Sequence, residues 1–293
     1  MDTVQKRKVY FLGANRLGDF LCTTAVIRGF RIQNPDVHIS YIVHDAPYTR
    51  ILEGNPDIDQ VVYNNDLKVD ESAPRHLIKK LEADGEVYYF DIFRVCTSSY
   101  NVFRDHIARG FANDLHIRLD SVKPVVTLSA TDYAAAGSLT KKPYIVLAIH
   151  TGSTVIANDL RLVLKDWIVE HWLRLAQMIP GLGDFEIVAI GSLSDSPIQT
   201  RFFRNLYGLP IKVIAALCQK AACVISVENG ISHLCHAVDA PMILLYSRHV
   251  SFPWAYPREA GQCRVIYKDP VFITPAEVYS SLKEILRSNT VLI

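Results

Sequence analysis

The sequence predicts an α/β protein made of two doubly wound halves, and three observations carry that prediction. Short apolar, β-rich runs alternate with amphipathic stretches from one end of the chain to the other, the pattern of βαβ units and parallel sheets. At 293 residues the chain exceeds the size at which a single core keeps growing, so two domains are expected. Near the middle, TLSATDYAAAGSLTKKP combines small residues, two lysines and Pro143 into a linker-like composition. One domain is therefore expected at 1–138 and a second at 139–293.

Taken in order, KVYFLG reads as the first strand, DFLCTTAVIRGFRIQ as a helix, HISYIV as a strand and PYTRILEG as a short helix. QVVYN then reads as a strand, APRHLIKKLEAD as a helix and VYYFDIF as another strand, with a helix near VFRDHIARGFAN. The second series opens on the very apolar strand YIVLAI, followed by the polar loop HTGS and the helix IVEHWLRLAQMI. FEIVAIG is a strand, and helical stretches are expected around IQTRFFRNLYG and IAALCQKAA. CVISVENGISHLCHAV and APMILLYS supply strand, turn, helix and strand. The closing TPAEVYSSLKEILRS has apolar residues at helical spacing, a Thr274 cap, Pro275 at the first helical position and Glu277 as capping-box partner.

Composition narrows the function. Lys plus Arg number 31 against 30 Asp plus Glu, which removes the basic field that non-specific nucleic-acid binding requires. No run approaches the ~20 apolar residues of a membrane span, and the first residues lack the form of a cleavable leader, so a cytoplasmic protein is expected. The six cysteines form no C-x-x-C pair and sit mostly in apolar runs, as buried thiols do. Cys235, His236 and His233 match no usual zinc spacing.

Doubly wound sheets bind ligands in the loops at the carboxyl ends of their strands, and three such loops carry candidate chemistry. In CVISVENGISHLCHAV a buried strand runs into Asn229 and Gly230, and a helix follows with His233 in its first turn. Backbone N–H groups and the helix dipole there suit a diphosphate, although an ordinary strand-to-helix turn has the same pattern. The loop HTGS, His150 to Ser153, offers the Thr151 and Ser153 hydroxyls and close backbone approach at Gly152; Arg161, Lys165 and Trp167 follow. In the opening loop, FLGANRLGDF, Gly13 and Gly18 have the spacing of a phosphate-cradling loop, yet Asp19 and Phe20 stand where Lys and Ser/Thr would be needed. Asp19 is either a favourable acid at a positive helix end or a carboxylate that takes a proton from an attacking hydroxyl. Asn15 stands where a dinucleotide fingerprint needs its second glycine, which argues against an NAD-dependent oxidoreductase.

In this order the loops resemble glycosyltransferase family 9, the heptosyltransferase family of the GT-B fold. NRLGDFLCTTAVIRGFR, HIARGFANDLHIRLDSVKPVVTLSATDYAAA, YIVLAIHTGST with LKDWIVEHWLRLAQMI, IGSLSD and CVISVENGISHLCHAVDAPMILLYS carry the resemblance, across about residues 8 to 247. It implies two Rossmann-like domains facing a cleft, the first taking the acceptor and the second a nucleotide-diphosphate sugar, typically ADP-heptose. Transfer would invert the anomeric centre and need neither metal nor cofactor. The resemblance makes Asp19 the general base, with Arg16, Gly18 and Thr23 beside it on the acceptor side. Asn229, Gly230 and His233 would hold the donor diphosphate; Thr151, Gly152, Ser153 and Lys165 would complete the nucleotide side, and Asp195 would meet the ribose. Glu228 and Asn229 stand where the family carries Asp and Ser/Thr, and Ile168 where it carries Pro. The implied acceptor is a carbohydrate such as a lipopolysaccharide core. Lys6, Arg7 and Lys8 would then meet an anionic membrane surface, or form a solvated start of the chain. A sugar-nucleotide-binding module without catalysis is the alternative from another class.

Overall fold

The computed structural model describes residues 6–13, 16–44, 46–64, 73–97, 106–151, 155–157, 160–162, 165–246 and 263–290. The chain divides into two compact units, Met1–Thr127 and Leu128–Ile293.

The first unit runs β1 (Lys8–Gly13), α1 (Leu17–Gln33), β2 (His38–Val43), α2 (Ala46–Leu52), β3 (Gln60–Tyr63), α3 (Ala73–Glu82), β4 (Glu86–Phe90), α4 (Ile92–Thr97) and α5 (Ile107–Asp114). Its four strands are parallel in the order β3-β2-β1-β4. Burial follows position in the sheet. β2 is buried along nearly its whole length, while β3, at the edge, has exposed residues at both ends. Phe11 of β1 stacks between Tyr88 and Phe90 of β4 and meets Phe30 of α1 edge-on, so one aromatic group joins sheet and helix. VYYFDIF ends as a strand at Phe90, because Ile92 already belongs to α4.

Chain order in this sheet runs outward from β1 through β2 to β3 and then returns to β4 on the other side of β1. The reversal leaves a crevice at the carboxyl ends of β1 and β4. Gly13 lies there with a φ of 105°, and a Cβ at that position would stand 2.7 Å from the Phe90 carbonyl oxygen. The first glycine of the opening loop is thus required by close backbone approach between the two strands.

The second unit runs α6 (Ala130–Gly137), β5 (Tyr144–Ala148), β6 (Val155–Ala157), β7 (Leu160–Leu162), α7 (Val169–Met178), β8 (Glu186–Gly191), β9 (Arg204–Tyr207), α8 (Ile211–Lys220), β10 (Cys223–Val227), α9 (Gly230–Ala237), β11 (Met242–Tyr246), β12 (Cys263–Tyr267) and α10 (Pro275–Thr290). Its six-stranded sheet is parallel in the order β12-β11-β10-β5-β8-β9. β5, β10 and β11 are buried at every residue, as strands covered on both faces must be, and the edge strands β9 and β12 are not. β6 and β7 pair as a small antiparallel hairpin that the polar-loop reading of HTGS and its sequel does not anticipate.

Two expectations from the sequence are corrected. The stretch read as a linker contains α6, capped by Ser129: its hydroxyl accepts from Asp132 N, and Asp132 returns the bond to Ser129 N at 2.8 Å. α6 goes with the second unit, where Tyr133 donates to Gln219 of α8 at 2.6 Å. The stretch around IQTRFFRNLYG is not helical; Arg204–Tyr207 forms β9, which pairs with β8. A strand edge gives that segment backbone partners that an isolated turn of helix could not match.

Among the described cysteines none is bridged: Cys22, Cys218, Cys223 and Cys235 are buried and Cys263 is partly exposed, while the Cys96 side chain lies outside the described residues. Among the described residues no helix is long and apolar enough to cross a membrane.

The C-terminal helix α10 packs on α7, with Val278, Leu282 and Ile285 joining Trp172 and Leu175 in the core of the second unit. Its expected capping box is formed: Thr274 Oγ1 accepts from Glu277 N at 3.3 Å, and Glu277 Oε2 accepts from Thr274 N at 2.8 Å. Lys268 adds an ion pair to Glu277 at 2.8 Å. That lysine first, and the Thr274 backbone second, pull the Glu277 carboxyl down to about 2. Replacing Thr274 by Ala is expected to lower the stability of the chain by about 1 kcal/mol in urea unfolding. Because its folded pKa is depressed, the Glu277 contribution is present above the ordinary value of 4.5 and is lost as pH falls toward about 2. The difference in melting temperature between the native chain and Glu277→Gln is therefore expected to shrink across that window.

Candidate functional site

In the first unit, the helix after β1 begins at Leu17 with Arg16 as N-cap, and Asp19 falls in its first turn. Phe20 is fully buried and stacks on Tyr48 and Tyr41, with ring centroids 4.4 Å and 5.4 Å away. That anchor fixes the turn, so the neighbouring Asp19 stays partly exposed, at the positive end of a 17-residue helix. Arg16 is exposed and Gly18 partly so. Thr23 behaves differently from its neighbours: it is fully buried, its hydroxyl donates to Phe20 O at 2.7 Å and it lies 2.6 Å from the Tyr41 hydroxyl. It supports the turn from beneath.

In the second unit, chain order runs from β5 through β8 to β9 on one side, then returns to β10 on the other. The carboxyl ends of β5 and β10 therefore flank the crevice where a doubly wound sheet takes its ligand. His150 and Thr151 follow β5; Glu228 and Asn229 follow β10.

Asn229 is the N-cap of α9. Its Oδ1 accepts from the backbone N–H of Ile231 at 2.9 Å and of Ser232 at 3.2 Å, and its Nδ2 donates to the carbonyl of His150 at 2.9 Å. One amide thereby starts the helix and ties the two strand ends together. Gly230 is the first helical residue. His233, one turn further on, is buried, contrary to the exposed histidine of an ordinary turn. Burial, with the Lys165 charge as the smaller cause, pushes its imidazole down to about 4 and keeps it neutral near pH 7.

Lys165 and Glu228 form an ion pair, with only 14% and 10% of their side chains exposed. The next residue, Asp166, accepts from the backbone N–H of Thr151 at 3.0 Å. Burial raises the Asp166 carboxyl above the ordinary range, opposed by the Thr151 hydrogen bonds. Trp167 is buried, donates its indole N–H to Ile273 O at 2.8 Å and meets Trp172 edge-on, so it anchors the Lys165–Asp166 segment to the core.

Asp195 caps its own loop after β8, accepting from Ser192 N at 2.7 Å. His150 Nε2 lies 2.9 Å from the Tyr207 hydroxyl, and Tyr207 is pushed up to about 12 by burial first and the Asp195 charge second. Gly191 lets the Tyr207 ring pack there, since a Cβ would come within 2.7 Å of it. Asp166, His150 and Tyr207 are thus members of the site that sequence reasoning did not select. Thr151, Lys165, Asp195, Glu228, Asn229, Gly230 and His233 all lie at the carboxyl ends of this sheet or in the segment tied to them. Gly152 and Ser153 lie outside the described residues.

Comparison with known proteins agrees with this geometry. The model of glycosyltransferase family 9 (heptosyltransferase) matches residues 90–270, which hold every described member of the second unit's site. No curated protein matches the chain by sequence. Among solved structures, a glycosyl transferase family 9 protein from Veillonella parvula aligns with a TM-score of 0.75 at 17% identity, over 98% of this chain and 99% of its own. The E. coli ADP-heptose LPS heptosyltransferase II aligns with a TM-score of 0.72 at 16% identity, over 97% and 99%. The E. coli heptosyltransferase WaaC aligns with a TM-score of 0.63 at 16% identity, over 94% and 99%. At these identities the likeness establishes a shared fold, the GT-B fold with its two α/β units.

Replacing Asn229 by Ala removes the cap and leaves the His150 carbonyl without its donor, and is expected to cost about 1–2 kcal/mol in urea unfolding. Asn229→Ser keeps an oxygen for the helix N–H groups but cannot reach across to β5, so an intermediate loss is expected.

Proposed function

The chain belongs to glycosyltransferase family 9, the heptosyltransferase family, and from that premise we propose that it moves a heptose from ADP-heptose to a hydroxyl of a carbohydrate acceptor, with inversion and with Asp19 as general base. The observation that carries the reading is the turn between β10 and α9. There a helix N-terminus, Gly230, neutral His233 and Lys165 gather at the switch point of the sheet within the matched segment. Such a group suits the diphosphate of a donor. Two structures of the E. coli heptosyltransferase WaaC, one with ADP and one with ADP-2-deoxy-2-fluoro heptose, support ADP-heptose as that donor. The fold shared with the E. coli LPS heptosyltransferase II supports a lipopolysaccharide-core sugar as acceptor.

The reaction divides cleanly between two kinds of group. The acceptor oxygen forms a bond to the anomeric carbon while the bond from that carbon to the β-phosphate oxygen breaks, and ADP departs. The ring passes through an oxocarbenium-like state with charge developing on the leaving diphosphate. Lys165, the α9 N–H groups and His233 as a hydrogen-bond donor would stabilise that charge. The acceptor hydroxyl must lose a proton, and a partly exposed carboxylate in the first turn of a helix is a group that can accept it. Asp19 has that position in the first unit. No metal or cofactor enters this scheme.

Asp19→Asn is expected to lower ADP release in the presence of acceptor by at least ~100-fold while leaving ADP binding unchanged in a calorimetric titration. Turnover at the native rate would remove Asp19 from the role of base. Tight donor binding with no turnover on any acceptor sugar would mark the chain as a binding module.

A further inference from the structure

The lysine that faces the proposed diphosphate site already has a counter-ion. Lys165 pairs with Glu228, both side chains are largely buried, and the two residues belong to the segments that flank the crevice between β5 and β10. The groups around the pair are likewise engaged within the protein. Asn229 is committed to the α9 cap and to His150 O, and the Thr151 N–H to Asp166. His233 is neutral near pH 7 and adds no formal charge. The formal charges of Lys165 and Glu228 cancel, so among the described residues of the β10–α9 turn what attracts an arriving anion is the partial positive charge of the helix end. A diphosphate that comes within reach of Lys165 also comes within reach of a carboxylate, in surroundings too poorly solvated to screen the repulsion.

We propose that Glu228 is an internal counter-anion that the donor diphosphate displaces from Lys165, and that this competition sets how tightly the site holds a nucleoside diphosphate. The proposal rests on the assignment of the β10–α9 turn to the donor diphosphate. Its physical content is an exchange of partners: Lys165 passes from a carboxylate to phosphate oxygens, and Glu228 is left beside the new anion. Glu228 is thus a positioning residue. It holds the lysine at the crevice in the empty state and weakens the site's grip on a released diphosphate, which favours product departure.

Titration of the full chain with ADP, by calorimetry, tests both levels. Glu228→Gln is expected to bind ADP roughly tenfold more tightly than the native chain, the scale of one poorly screened charge contact. Lys165→Met is expected to lose most of the affinity, and the double variant to bind no better than Lys165→Met alone, because the gain runs through the lysine. Glu228→Asp keeps the charge at a shorter reach and is expected to fall between the native chain and the amide; it carries the test if the amide variant does not fold, as judged by circular dichroism. A native chain that binds ADP, with neither variant binding more tightly, overturns the counter-anion role and leaves the diphosphate assignment standing. A gain from Glu228→Gln that persists without Lys165 also overturns it. Absence of ADP binding in the native chain and in every variant overturns the diphosphate assignment and the counter-anion role together.

Discussion

The hydrogen bond from Asn229 Nδ2 to the carbonyl of His150 joins the carboxyl ends of the two adjacent strands between which the second sheet reverses its order. Everything proposed for the donor depends on that join. The same side chain starts α9 through its oxygen, so the direction of the helix dipole and the separation of the two strand ends are set by one planar amide. A hydroxyl-bearing cap would serve the helix equally well but could not span to the neighbouring strand. Where the family's resemblance leads one to expect Ser or Thr, the asparagine therefore changes the mechanics of the turn: it replaces a group available to a ligand with one committed to the scaffold.

Around that join the polar groups are paired in layers. Asp166 holds the Thr151 backbone, Glu228 holds Lys165, and Trp167 fixes the segment between them through its bond to Ile273 O. Such a network is stiff because each member is anchored at both ends, and buried polar groups left without partners would be costly. Stiffness suits a site that must present a helix end and a cation to a leaving group without reorganising as charge develops. The exposed side of the same logic is seen at Asp19, where buried Phe20 anchors the first turn and leaves the acid at the surface of a rigid helix.

Much of this was legible in the sequence, and the reasons differ from residue to residue. The C-terminal helix announced itself because Thr274, Pro275 and Glu277 act locally, and their capping box forms as read. YIVLAI was read as a very apolar strand and CVISV as a buried one, and both are buried at every residue because they lie inside the parallel sheet, covered on both faces. α6 escaped because ATDYAAAG has small residues where an amphipathic helix has large ones; it docks on α8 through buried Ala136 and through Tyr133, which bonds to Gln219 and lies under Lys220. β9 escaped because the aromatic spacing of RFFRNLY imitates a helix, while the strand edge that captures it belongs to a segment read separately. Thr23 was placed beside Asp19 by resemblance alone; it follows one turn later on the same side of α1, but the helix is buried from Phe20 to Ile27, so its hydroxyl bonds to Phe20 O and lies against Tyr41.

Asp166 marks the limit of reading by motif. A carboxylate between Lys165 and Trp167 has no spacing signature, and its role follows from accepting a backbone N–H whose residue lies across the crevice-lining loop. The same holds for the pairing of Lys165 with Glu228, which the sequence presents as two separate residues of the donor side with no sign that they pair. Read singly, the lysine is an attraction and the glutamate a departure from the family pattern; read as a pair, they cancel each other's formal charge. Balance has a kinetic consequence for any transferase of this kind. The donor must be held long enough to react, but the nucleoside diphosphate left behind has more charge exposed than the donor had, and an uncompensated cation would retain it. A carboxylate already in place beside the lysine opposes that retention without weakening the helix-end contacts that matter while the glycosidic bond is breaking.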